Sequence, residues 1–113
     1  MNITMPRGDI RPVSFTINDA NGTPSDISFD EIYFTVKRSF TDKRFLFQKK
    51  LSTGEIEQTN TGEYSLIIEP EDTNNLYFGE YAFDIEVVNT DVKQTFVGEL
   101  ILTEEATHAA NEV

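Results

Sequence analysis

The residues that could perform chemistry are few, and their spacing does not suit it. The only histidine, His108, lies in the small, polar stretch Thr103 to Val113, where nothing would hold a general base in place. There is no cysteine, so disulfides, thiolate nucleophiles and thiolate metal sites are excluded. A Cys–His nucleophile pair is therefore absent, and a Ser–His pair is not expected with the one histidine so placed. Carboxylates recur as Glu55 with Glu57 and Asp84 with Glu86. Spacing of i, i+2 on a strand puts each pair on one face, where a solvated surface is the expected role. Asp19-Ala20-Asn21-Gly22 starts like a calcium loop but lacks the closing glutamate, and is read as a hairpin turn. Dinucleotide and phosphate loops and His-Glu-x-x-His are missing. No catalytic residue, cofactor or metal ligand is assigned, and the protein is not expected to be an enzyme.

Binding chemistry is better represented. Six of the nine basic residues fall between positions 37 and 50: Lys37, Arg38, Lys43, Arg44, Lys49 and Lys50, with Asp42 the one acid among them. From Glu55 onward there are fourteen acids and one base, Lys93. This polarity predicts a self-complementary surface, the basic edge of one copy docking on the acidic face of the next. Lysines on an edge strand also discourage unwanted pairing. Tyr77 and Phe78 are a second candidate, since exposed aromatics serve carbohydrate recognition and Tyr33 lies out of phase with the inward faces; the absence of tryptophan counts against that use. Arg7-Gly8-Asp9 is the integrin-binding tripeptide, but at this position it is expected to be a bend before a strand.

The elements that would carry these residues are strands. Period-two alternation runs through Val13-Phe15-Ile17, Ile32-Phe34-Val36, Phe45-Phe47-Leu51 with Lys49 interrupting, Tyr64-Leu66-Ile68, Tyr81-Phe83-Ile85-Val87 and Phe96-Leu100-Leu102. Glu55 to Gln58 adds a short edge strand, and Gly98 is read as a bulge. Turn signals separate the runs at Asp19 to Pro24, Thr53-Gly54, Asn60 to Gly62 and Asn89 to Asp91. Pro70 to Leu76 predicts one helical turn, with proline early and Glu71 and Asp72 at its positive end. No amphipathic helix of useful length is present. The chain of 113 residues suits one domain, with residues 1–6 an N-terminal arm, 7–102 the folded body and 103–113 a flexible tail. The two ends are expected to order on a neighbour.

About seven short strands at this spacing predict an all-β sandwich. One local feature makes it immunoglobulin-like: a helical turn, then Gly79, then Tyr81 two residues before Phe83. Tyr81 is expected to be a corner tyrosine bonded to backbone between Asp72 and Leu76, with Phe83 in the place of the second core cysteine. The reading is an immunoglobulin-like antiparallel β-sandwich with one short helical turn near residues 70–76.

The order of several short words is similar to a type of small bacteriophage protein. They are Arg7-Gly8-Asp9; Val13-Ser14-Phe15-Thr16-Ile17-Asn18-Asp19 with Gly22-Thr23-Pro24; Asp26-Ile27-Ser28 before Ile32 to Arg38; Gly62-Glu63-Tyr64; Pro70-Glu71-Asp72-Thr73; and Gly79 to Ile85. From Arg7 to Leu102 the chain resembles the N-terminal domain of phage baseplate upper proteins and related tail- or head-associated proteins. The resemblance implies a virion structural protein acting by protein–protein contact, without catalytic residues. Baseplate upper proteins continue into a fibre or tether region that this sequence does not contain, so a standalone tail, baseplate or capsid-decoration subunit is expected. Its partners would be other phage structural proteins or copies of itself, and a host-surface glycan under the alternative of a carbohydrate- or cell-surface-binding module. The net charge of −11 argues against nucleic acid. Met1 to Asp9 lacks the pattern of a signal peptide and no run is long enough for a membrane helix. Synthesis in bacterial host cytoplasm and residence in the virion are the expected localisation.

Overall fold

The computed structural model describes residues 1–90 and 93–104. Among them are eight strands: β1 (Asn2–Pro6), β2 (Arg11–Thr16), β3 (Glu31–Lys37), β4 (Phe47–Lys50), β5 (Ile56–Asn60), β6 (Glu63–Ile68), β7 (Gly79–Val88) and β8 (Lys93–Thr103), with one short helix, α1 (Pro70–Thr73), between β6 and β7. A five-stranded sheet in the order β1-β8-β7-β3-β4 faces a three-stranded sheet β2-β6-β5. The smaller sheet matches the B, E and D strands of an immunoglobulin-like sandwich, and β8, β7, β3 and β4 match G, F, C and C′. The chain is an all-β sandwich of this kind.

Alternation builds the core. Ile32, Phe34 and Val36 of β3 and Tyr81, Phe83, Ile85 and Val87 of β7 point inward and meet Val13, Tyr64, Leu66 and Ile68 of the smaller sheet. The Phe34 and Phe83 rings lie 5.2 Å apart at a tilt, and Phe15 stacks on Tyr64 at 5.7 Å. Removing a ring such as Phe34 would cost about 3–5 kcal/mol, because transfer and cavity terms add. Asp19 closes its turn through its own carboxylate, which accepts the N–H groups of Asn21 and Thr23 at 2.9 and 3.1 Å.

The helical turn and corner tyrosine join the sheets. Asp72 accepts the N–H of Glu69 at 2.8 Å across the start of α1, and hydrogen bonds from Asn74 to Pro70 and from Leu76 to Thr73 carry the winding to residue 76. The Tyr81 hydroxyl donates to the carbonyl of Tyr77 at 2.7 Å. The corner tyrosine is the expected one, but its acceptor lies just beyond the expected Asp72–Leu76 window. Within that window the Thr73 carbonyl accepts the Leu76 N–H and the Leu76 carbonyl accepts from the Arg7 guanidinium at 3.4 Å, and the hydroxyl reaches the next carbonyl along.

Several expectations are corrected. Residues 1–6 are not an arm: β1 pairs parallel with β8, Asn2 opposite Glu99 and Pro6 opposite Thr103, and buries Ile3 and Met5. The sandwich is therefore antiparallel except at this edge, and has eight strands among the described residues where about seven were expected. Arg7-Gly8-Asp9 is the expected bend before a strand, here between β1 and β2: Arg7 N–H donates to the Thr103 carbonyl, Gly8 has φ +83 and its N–H reaches the buried Thr73 hydroxyl at 2.8 Å. Gly98 is not a bulge. The β7–β8 register runs unbroken through Phe83↔Gly98, and a Cβ on Gly98 would come within 2.6 Å of the Phe83 ring. Phe96, in phase with Leu100 and Leu102, is half exposed and lines a recess of 290 Å³ with Phe15 and Ile85, where the smaller sheet leaves β8 uncovered. Phe45 falls before β4 and faces solvent. Thr103 belongs to β8, and of the expected tail residues 105–113, including His108, lie outside the described residues.

Candidate functional site

The eight sequence-derived interaction residues do not form one surface. Lys49 is removed from it first. Its side chain points inward from β4 and pairs with Asp72 at 2.7 Å, with side-chain exposures of 10% and 13%. Asp72 thus holds two donors on one oxygen, the Glu69 N–H and the Lys49 ammonium. This ties the edge of the larger sheet to the helical turn that leaves the smaller one, a role in architecture instead of docking.

Lys50 and Lys37 belong to the outer face of the larger sheet. Lys50 lies over the Tyr33 ring at 5.8 Å from its centroid, and Tyr33 pairs across the sheet with Glu86, which Lys93 approaches at 3.7 Å. Lys37 acts on Asp84. Burial, then the neighbouring Glu86, raise the Asp84 carboxyl above its ordinary value, while Lys37 partly offsets them. The i, i+2 pair is therefore a row on one sheet face, as expected, with Thr35 opposite Asp84 taking a hydrogen bond from Gln48 at 3.0 Å.

Arg38, Lys43 and Arg44 stand exposed on the connection between β3 and β4. Three side chains outside the expected interaction set accompany them. Phe40, Phe45 and Leu46 are 55%, 53% and 42% exposed, so residues 38–46 form a cationic patch studded with large apolar groups. The signal was present in Phe45, whose inward phase applies only if β4 begins there; the strand starts at Phe47 and leaves it outside.

Lys49 of β4 also lines a groove of 390 Å³ with Glu55, Glu57, Glu69, Glu71 and Ile67. Ile67 is half exposed within it. Tyr77 and Phe78 lie apart, on the turn after α1. Tyr77 is 79% exposed, and Phe78 carries the Arg7 guanidinium 4.4 Å from its ring centroid.

Among the described residues no group of three or more His, Cys, Asp or Glu side chains is arranged to hold a metal ion, and no helix is long and apolar enough to cross a membrane. Compared with known proteins, the chain matches no family model, and a search of curated proteins finds no match.

Proposed function

We propose that this protein is a non-enzymatic structural subunit of a bacteriophage particle, in the tail, baseplate or capsid decoration, working through protein–protein contacts. The observation that carries the reading is the 38–46 patch, where Phe40, Phe45 and Leu46 are offered to solvent among Arg38, Lys43 and Arg44. Aromatic and arginine side chains exposed together are the composition of interface anchors, and contiguous exposed apolar groups mark interaction sites. The order of short sequence words from Arg7 to Leu102 supplies the phage context. In this reading the protein is made in bacterial cytoplasm, is released with the particle, and needs no cofactor.

The test is an immunoblot for the protein across a density gradient of particles from an induced lysate. Banding with particles is expected; a signal confined to the soluble fractions overturns the proposal. The exposure of Tyr77 favours one rival, a carbohydrate-binding module. Glycan-array binding abolished by Tyr77→Ala would establish that rival instead.

A further inference from the structure

The basic patch and the acidic groove are joined through β4. Residues 38–46 run directly into β4, and the Lys49 of β4 lines the groove. Leu46 and Lys49 are about 10 Å apart along extended chain. Two complementary surfaces on one edge of a molecule have a closed solution that surfaces at opposite ends lack: a two-fold axis beside that edge sets each copy's loop against the other's groove, and satisfies both contacts at once.

We infer that the protein forms a two-fold homodimer in which the 38–46 loop of each copy occupies the Glu55/Glu57/Glu69/Glu71 groove of the other. The inference rests on the proposed mode of action by protein–protein contact and names its first partner, a second copy. Charge selects the occupant. Arg38, Lys43 and Arg44 meet four glutamates, while a chain of net charge −11 repels itself in most other orientations. Phe40, Phe45 and Leu46 carry the apolar contact, and the half-exposed Ile67 receives it in the groove. Charge polarity along the sequence pointed to a contact between copies that closes into rings or builds arrays, and the proposal takes the smallest closed form, a pair.

The test is the solution mass of the full chain by light scattering and sedimentation. Two chains are expected at low salt, with no growth beyond two as concentration rises. The dissociation constant should weaken at least ~10-fold between 50 and 500 mM salt, because exposed pairs are screened within a Debye length of about 10 Å at 0.1 M. Lys43→Glu with Arg44→Glu should give monomers, and so should Glu55→Lys with Glu57→Lys. Mixing these two variants should restore a dimer, since one contact of the mixed pair keeps its parent residues and the other sets acidic side chains at 43 and 44 against basic ones at 55 and 57, and one chain carrying all four changes should dimerise with itself through the same reversed positions. All four positions are exposed, and matching thermal melts establish that the variants fold.

A monomer at every concentration, an unchanged dimer in the variants, or no recovery on mixing overturns the inference. A series growing past two overturns its closure. A monomer whose loop instead binds phosphatidylserine vesicles reassigns the patch to a membrane surface. The two readings fail separately: a monomer found in purified particles defeats the dimer alone, and a dimer absent from particles defeats the virion role alone.

Discussion

Replacing Lys49 with methionine isolates what the ion pair beneath β4 contributes. The substitution keeps the length of the aliphatic stem and deletes the ammonium 2.7 Å from Asp72. Both side chains are nearly excluded from solvent, so the exposed-pair figure of about 0–1 kcal/mol does not apply. Removing one member of a buried pair costs about 3–5 kcal/mol, because the other charge is left uncompensated. Asp72 keeps its hydrogen bond from Glu69 and stays near the positive end of α1, which favours the lower end, about 3 kcal/mol. For a domain of this size that is a drop in Tm of roughly 10–20 °C. Urea denaturation and thermal melts of Lys49→Met measure it, with Lys50→Met, one residue along on the outer face, expected to change stability by under ~0.5 kcal/mol. The double variant Lys49→Met/Asp72→Asn removes the stranded charge while keeping an acceptor for Glu69. It should be more stable than Lys49→Met alone, with a coupling of about 1–3 kcal/mol. A Lys49→Met variant as stable as the parent, or strictly additive effects, would refute the argument that this lysine is structural.

Gly98→Ala should destabilise by about 1–3 kcal/mol by overpacking against the Met1 carbonyl and the Phe83 ring, opposite to the small gain that Gly→Ala brings where space allows; chemical denaturation reads the sign. Tyr81→Phe strips the donor from the Tyr77 carbonyl and should cost about 1 kcal/mol in the same assay. Asp84→Asn should raise Tm at pH 7. The folded carboxyl titrates above its ordinary value, so its charged form is a burden once pH exceeds the folded value. That gain should fade as pH falls below about 3.9, the ordinary aspartate value; an equal gain at pH 3 and pH 7 would contradict it.

Strands buried on one face were legible, because each repeats its pattern over three or four inward residues: Ile32-Phe34-Val36, Tyr64-Leu66-Ile68 and Tyr81-Phe83-Ile85-Val87 needed only local information. β1 was hidden because Ile3 and Met5 offer one repeat, followed by Pro6-Arg7-Gly8, and its partner lies at the far end of the chain. Lys49 shows a different limit. Its position in phase with Phe47 signals an inward side chain, but the compensating Asp72 comes from another element, and only folding brings the two together. Phe45 and Phe96 depend on where a neighbouring strand stops, which alternation does not encode. The basic segment was visible as charge, while its division into a paired lysine, a sheet face and an aromatic loop was not.

The parallel contact between β1 and β8 also bears on how the protein is made. Asn2 and Glu99, joined by a hydrogen bond from the Glu99 N–H to the Asn2 side chain, are 97 residues apart in sequence. At a synthesis rate of about 5–20 residues per second, the first strand waits roughly 5–20 s on the ribosome before its partner exists. During that wait Ile3 and Met5 have no sheet to join, and β7 lacks the neighbour that separates it from β1. The β1 edge of the larger sheet therefore joins only after β8 is released from the exit tunnel, although β7, β3 and β4 can pair before it. Closing so long a loop puts this pairing among the slow, topologically costly steps typical of β-sandwiches. A nascent chain arrested before residue 93 should bind holdase chaperones and remain open to protease, and release of the following strand should end both together.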